Sequence, residues 1–430
     1  MKRKFTSYLI ENFLTTKAQV LNFSKRFSTF CFLDNHGYEF KKSYECIVGA
    51  GSIKQFVVHE HQTDFDSLDK FIDRNKNNWI FGHISYDLKN DIEDLKSANS
   101  DGIQFPKVIF FVPEIVFIIS SSHLELGIFD PVNPDDIFYD SIKNYKPGND
   151  KKQKIPVLKN RFSKKKYVDI IRKLQGHILK GDCYELNFCQ EFFATGALIN
   201  PVKVYEKLTR TSPNPFSAFY KFGGKYLMCA SPERFIKKTG NRIISQPIKG
   251  TAKRIYDNAQ ADTLQKESLL RSTKERSENI IIVDLVRNDL AKICKEASVH
   301  VEEFLGVYSF PQVHQMISTV GGILKEKIQF SEILKATFPM GSMTGAPKKK
   351  AMELIEKYEV TKRDLFSGSV GYINPNGDFD FNVVIRSLQW NSSTNYLSIM
   401  AGSAITFNSI PEQEYEECLV KIQAMKDALQ

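Results

Sequence analysis

The sequence predicts an α+β fold, on three observations. Before residue 150, strand-like apolar runs alternate with polar turns. After residue 160, several long segments carry apolar residues at helical spacing. Between those segments lie short β-rich runs joined by turn residues, and no internal repeat is present.

In chain order, "YECIVGAG" and "KVIFFVPEIVFIIS" read as strands of an N-terminal α+β region, residues 1–150. "NYKPGNDKKQKIPVLKN" (144–160) is rich in Lys, Asn, Pro and Gly and predicts a linker-like segment, 151–161. Residues 162–430 form a larger mixed domain. It opens with "RFSKKKYVDIIRKLQGHILKGD", where Tyr167, Ile170, Ile171, Leu174 and Ile178 share a helix face. Ser163 is its predicted N-cap, and Gly181 follows its last turn. "KYLMCA" (225–230), "RFIKK" (234–238) and "RIISQ" (242–246) read as strands, with "TGN" (239–241) as a hairpin turn. "LLRSTKERSENIIIVDLVRNDLAKIC" has a β-branched run, but its length and charge placement favour a buried helix. A helix is expected in "GAPKKKAMELIEKYE", and a strand pair turning at Asn376-Gly377 in "LFSGSVGYINPNGDFDFNVVIRSLQW". For the last helix, Ser409 and Glu412 predict a capping box with Pro411 in the first turn. Tyr415, Cys418, Leu419, Ile422 and Met425 are its apolar stripe.

Composition narrows the function classes. The chain has 430 residues, 42% hydrophobic and 25% charged, as expected of a globular protein with a large core. Its net charge of +9 is scattered, without an aromatic-basic repeat, so anionic small molecules are favoured over nucleic acid. Seven widely spaced cysteines lack any C-x-x-C and read as a reduced, cytoplasmic set. No membrane partner is expected. The longest apolar-rich run, "VIFFVPEIVFII", is too short for a bilayer and is broken by Pro-Glu, and the N-terminus lacks a signal-peptide core.

Several residues could carry chemistry. A hairpin centred on residues 240–241 places Glu233 opposite Lys249 at its open end. The pair is either an exposed cross-strand ion pair or a cleft-facing acid and amine, with the two readings equally supported. Glu414, Glu417 and Lys421 fall on one strip of the last helix, and Glu275 and Glu278 share the i, i+3 spacing on another. Two such helices facing one cleft would suit Mg²⁺, which takes few carboxylates plus substrate oxygens; a solvated charged flank explains each strip as well. "GSMTGAPKKKAMELIE" (341–356) offers free backbone N–H groups for an anion, or ordinary capping. Gly402 in "AGSAIT" allows close backbone approach by a ligand, or tight packing. Arg386 is a core-paired residue or a carboxylate fork, and His314 a core histidine or a site residue.

Seven segments together resemble the chorismate-utilising enzyme family, in the family's order: "ASPERFI", "QPIKGTAKR", "SENIIIVDLVRNDLAKIC", "VHQMISTVGG", "FPMGSMTGAPKKKAMELIE", "SGSVGYINPNGDFDFNVVIRSL" and "EYEECLVKIQAM". That family includes anthranilate synthase component I, aminodeoxychorismate synthase component I, isochorismate synthases and salicylate synthases. "FGHISYDLKND" (81–91) also resembles the N-terminal region of the amino-transferring members. The resemblance implies an anthranilate synthase component I-like fold of two packed β-sheets surrounded by helices, and a Mg²⁺-dependent chorismate site. By matching motif it implies Glu278 and Glu417 as Mg²⁺ ligands with Glu275 and Glu414 beside them. Arg386, Tyr372, Lys421 and the backbone around Gly402 would hold substrate carboxylates, and His314 and Thr344 would line the ring.

"PIKGT" is most similar to the aminodeoxychorismate synthase component I branch, whose lysine is the nucleophile; anthranilate and isochorismate synthases usually carry Ala there. The resemblance thus implies Lys249 as nucleophile and Glu233 as general acid. Burial and Mg²⁺ are expected to depress the lysine's pKa. Isochorismate synthases place a lysine base in the segment matching "CYELNF"; this chain has Glu185, where Gln is common. No Gly-x-Cys-x-Gly nucleophile turn is present, so a separate glutamine amidotransferase subunit (component II) is the implied ammonia source. The alternative is anthranilate synthase component I.

Overall fold

The computed structural model describes residues 3–38, 44–144, 155–310 and 313–430. Residues 145–154, which take in 151–154 of the linker-like segment, lie outside them. The architecture is α+β, with two sheets face to face and helices on both outer sides.

The first sheet has twelve strands. In spatial order its main path is Arg3–Leu9, His123–Phe129, Ile115–Ile119, Cys46–Ala50, Thr29–Asp34, Phe216–Phe222, Lys225–Ser231, Ser387–Asn391, Tyr396–Ile405, Glu185–Ala194 and Gly345–Ala346. The second sheet has ten, with the main path Ile248–Lys253, Val313–Ile323, Arg242–Gln246, Arg234–Thr239, Phe379–Asn382, Ser369–Ile373, Ile80–Ile84, Val108–Val112 and Lys54–Val58. Both sheets therefore draw strands from each side of residues 151–161.

The layering follows from the two-residue side-chain period of strands. Val108, Phe110 and Val112 point outward, into a core shared with the Thr273–Ile293 and Phe330–Thr337 helices. Ile109 and Phe111 point inward and meet Cys31, Ala218, Tyr220 and Leu227 of the first sheet. The outer face of the first sheet, including Phe30, Phe32 and Val48, packs under helices Lys164–Leu179, Pro201–Thr211 and Pro411–Lys421. Burying each such aromatic or branched side chain contributes about 1.5–3 kcal/mol.

The chain changes sheet at several short junctions, one of them residues 51–53 between Cys46–Ala50 and Lys54–Val58. Val108–Val112 and Ile115–Ile119 lie in different sheets, split by the Pro113-Glu114 break. Lys225–Ser231 and Arg234–Thr239 are split at Pro232-Glu233, and Phe379–Asn382 and Ser387–Asn391 at residues 383–386. Glu233 and Arg386 thus both stand where a strand leaves one layer for the other.

Ser163 caps the Lys164–Leu179 helix by accepting from Lys166 N–H, and Gly181 follows at φ +82°. The charged β-branched segment is the Thr273–Ile293 helix. The expected capping box at Ser409 does not form: the Pro411–Lys421 helix has Ile410 at its N-cap, without a side-chain bond. Ser409 Oγ instead accepts from Thr406 N–H, and Glu412 pairs with Arg172 of the neighbouring helix. No helix among the described residues is long and apolar enough to cross a membrane.

Candidate active site

Lys249 is the second residue of Ile248–Lys253, at the edge of the second sheet. The hairpin prediction placed Glu233 opposite it, and the structure corrects this. Around the turn Thr239 pairs with Arg242, but an irregularity between Arg234 and Lys237 shifts the register, so that Arg234 faces Gln246. Beyond Gln246 the chain leaves the hairpin, and Ile248–Lys253 pairs with Val313–Ile323. Lys249 instead reaches across to the first sheet, where its Nζ donates to Glu185 Oε1 at 2.8 Å. Both side chains are buried, and Glu185 Oε2 has no hydrogen-bond partner among the described residues.

As expected, burial pulls the pKa of Lys249 down, but the charges of Glu185, Glu278 and Glu233 and the Glu185 hydrogen bond push it well above the ordinary value. Glu185 thus pulls the amine toward its protonated form.

Glu233 is buried at the sheet junction. Its backbone N–H donates to Ser231 Oγ, its carbonyl accepts from Val383 N–H, and its carboxylate accepts from Ser342 Oγ at 2.6 Å. Burial pushes its pKa up to about 7, against the opposing pull of Ser342, Lys249 and the Ile248 N–H. Glu233 therefore holds a proton near neutrality, with Lys249 close enough to be felt.

The two carboxylate-bearing helices do face one another. Lys274, in the first turn of Thr273–Ile293, lies 3.3 Å from Glu414 Oε1 on Pro411–Lys421 and 3.9 Å from Glu278 Oε1. Burial pushes Glu278 up to about 8, with Glu185 and Glu275 adding to it and Lys249 and Lys274 opposing. Glu275 is raised as well, by burial first. Burial also raises Glu417, but the charge and hydrogen bond of Lys421, helped by Lys274 and Lys249, bring it below the usual carboxylate range. Lys421 Nζ meets Glu417 at 2.6 Å and the Gly402 carbonyl at 2.8 Å.

This donor set fits a hard cation. Among the described residues, Glu278 Oε1 and Glu414 Oε2 are buried without hydrogen-bond partners, an arrangement that costs free energy unless positive charge meets it. Among the described residues no three or more His, Cys, Asp or Glu side chains converge to hold an ion by themselves. Mg²⁺ does not need such a cage, because substrate oxygens and water complete its shell.

Of the remaining residues, Thr344 is tied to this cluster through the strand of Glu185, and Gly402 through Lys421. Thr344 is fully buried beside Glu185: its carbonyl accepts from Asn187 N–H, and the next residue, Gly345, pairs with Leu186. Arg386 stands at a sheet junction, its carbonyl accepting from Ala230 N–H. Its guanidinium makes no ion pair among the described residues, and burial alone lowers it to about 10. Gly402 is explained by packing: a Cβ there would lie 2.4 Å from Cys189 Sγ and 2.5 Å from the Phe188 carbonyl. His314 lies opposite Ala252, with one ring nitrogen at Ser309 Oγ and the other 3.0 Å from Asp262. Tyr372 is not brought to the cluster. Its ring packs against Tyr44, Trp79 and Phe81 in the inter-sheet core. The "GSMTG" loop does not open the helix. Its amides at Met343 and Thr344 bond Met340 and Gly341 carbonyls in a short 3₁₀ turn, and the helix starts at Lys348.

Sequence reasoning missed two residues that matter here. Ser342 lay within a quoted motif, but nothing local tied it to Glu233. Lys274 was detectable, since Lys274 and Glu278 stand at i, i+4 on the predicted helix.

A family model described as "chorismate binding enzyme" matches residues 29–427. Aminodeoxychorismate synthase component 1 of Klebsiella aerogenes is 33% identical over 350 residues, covering 81% of this chain and 76% of that protein. Anthranilate synthase component 1 of Aquifex aeolicus is 31% identical over 369 residues, covering 82% and 74%. The crystal structure of anthranilate synthase component I from Streptococcus pneumoniae TIGR4 superimposes with a TM-score of 0.76 at 24% identity, covering 90% of this chain and 93% of that one.

Proposed function

The chain belongs to the chorismate binding enzyme family, and from that premise we propose that it is aminodeoxychorismate synthase component I, converting chorismate and ammonia to 4-amino-4-deoxychorismate. The observation that carries this reading is the buried Lys249, held by Glu185 and flanked by the proton-bearing Glu233. An amine is present where an attacking group is needed, and an acid where a hydroxyl must leave.

In this reading Lys249 first passes a proton to Glu185, whose second oxygen is free. The neutral Nζ bonds to C2 of chorismate, both conjugated ring double bonds shift by one position, and the C4–O bond breaks. Glu233 gives its proton to the departing oxygen, which leaves as water. Ammonia then bonds to C4 as the C2–Nζ bond breaks and both double bonds return. The added nitrogen's surplus proton goes to Glu233, and Glu185 returns its proton to Lys249. Arg386, desolvated and without an ion pair, is the carboxylate fork for the substrate, and Lys421 adds positive charge nearby.

Glu278 and Glu417 would hold Mg²⁺, with Glu275 and Glu414 beside them. When bound, the ion supplies charge against the substrate's ring carboxylate. Ammonia comes from a separate glutamine amidotransferase subunit, component II. The seven cysteines, all free and buried, suit a reducing cytoplasm, and the product feeds 4-aminobenzoate and folate synthesis.

The 31% identity to an anthranilate synthase component 1 favours a second reading, amination leading to anthranilate. Purified protein incubated with chorismate, ammonium and Mg²⁺, with products separated chromatographically, distinguishes them. The proposal expects 4-amino-4-deoxychorismate, and anthranilate as the sole product would overturn it.

A further inference from the structure

Lys274 stands where the two carboxylate-bearing helices meet. Its ammonium is 3.3 Å from Glu414 and 3.9 Å from Glu278, the second too long for a hydrogen bond. Those carboxylates are 2% and 8% exposed, whereas the Lys274 side chain is 43% exposed. Lys274 thus lies between two buried carboxylates, with Lys249 also felt at Glu278, and among the described residues Glu278 Oε1 and Glu414 Oε2 stay without hydrogen-bond partners. An ammonium on a flexible stem is a point charge with few donors, and it cannot saturate that many lone pairs. A divalent cation would meet more of them. The exposed stem, one residue before Glu275, leaves the amine a way out to solvent.

We propose that Lys274 is a resident placeholder for the divalent cation. In the cation-free protein its ammonium holds the Glu278 and Glu414 carboxylates together across the helices, and a binding cation must displace it. The inference rests on the reading that Glu278 and Glu417 hold a divalent ion with Glu414 beside them. It goes beyond that reading by assigning a competitor built into the chain. The exchange keeps the two helices apposed without metal and lowers the site's affinity for the ion.

The test is direct binding of Mn²⁺, followed by electron paramagnetic resonance of the free ion, to the full chain without substrate. Thermal melts are recorded with and without Mn²⁺. Lys274→Gln removes a positive charge a few ångströms from the ion, and binding should tighten about tenfold. Its cation-free form should melt below wild type, and Mn²⁺ should raise its Tm by more than it raises the wild type's. Lys274→Arg keeps the charge and should bind no tighter than wild type. If wild type binds Mn²⁺ and folded Lys274→Gln binds it equally or more weakly, the placeholder is wrong and the cation reading survives. Tighter binding by Lys274→Arg overturns the placeholder even if the Gln variant does not fold. If neither wild type nor Lys274→Gln binds Mn²⁺, both ideas fall.

Discussion

Replacing Glu185 by Gln isolates the interaction that sets the state of Lys249. The substitution keeps the side chain's shape and its carbonyl acceptor and removes only the charge. Two unit charges 2.8 Å apart attract by about 6 kcal/mol at an effective dielectric of about 20. Most of that is not recovered as a change in Lys249, because Glu278 and Glu233 remain and burial penalises the ammonium throughout. Opposite charges at this range typically move an amine's titration by about 1 to 3 pH units, and that is the expected displacement. Its sign is downward: without Glu185 the protonated amine loses its nearest counter-charge. Competitive acylation with acetic anhydride across a pH series reports the neutral amine, and mass spectrometry reads the Lys249 peptide. The comparison is of midpoints, which are independent of how well the reagent enters the site. Coincident midpoints in wild type and Glu185→Gln would refute the claim that Glu185 holds the amine protonated.

Three further outcomes follow from the same geometry. Glu233 has a raised folded pKa of about 7, so the stability tied to its neutral form is complete below the unfolded value near 4.5 and lost as pH rises through 7; Glu233→Gln should raise Tm at pH 8 and leave it unchanged at pH 4, while lowering kcat about 10²- to 10⁴-fold. Arg363 is buried and binds Glu359, the Met343 and Asn187 carbonyls and Ser367; Arg363→Met strands the Glu359 carboxylate and should cost about 3–5 kcal/mol in urea unfolding, with Glu359→Leu restoring part of it. Gly402→Val drives a branched side chain into Cys189 and the Phe188 carbonyl and should cost at least about 1–3 kcal/mol in the same assay.

Local chemistry was legible wherever a short stretch decides its own shape. The "TGN" turn, the Ser163 cap and the split at Pro113-Glu114 are of this kind. The prediction that Glu233 and Lys249 stand opposite each other did not hold: Lys249 pairs with Glu185, and only its charge is felt at Glu233. Its geometry failed because index arithmetic assumes an unbroken ladder, and the irregularity at Arg234–Lys237 breaks it. The partner of Lys249 is 64 residues away on the other sheet, and no periodicity links a strand edge to the layer packed against it. The Ser409 capping box failed through competition, since Arg172 of a neighbouring helix takes Glu412. Tyr372 followed its motif into the strand but not into the site. Its strand packs that ring between the sheets against Trp79.

The account turns on whether Lys249 forms a bond to the substrate. Wild-type protein quenched in acid during turnover with chorismate and limiting ammonium, then digested, should yield a Lys249 peptide heavier by chorismate less one water. Lys249→Ala should yield no such adduct and little 4-amino-4-deoxychorismate. Undiminished formation of that product by Lys249→Ala would contradict the account.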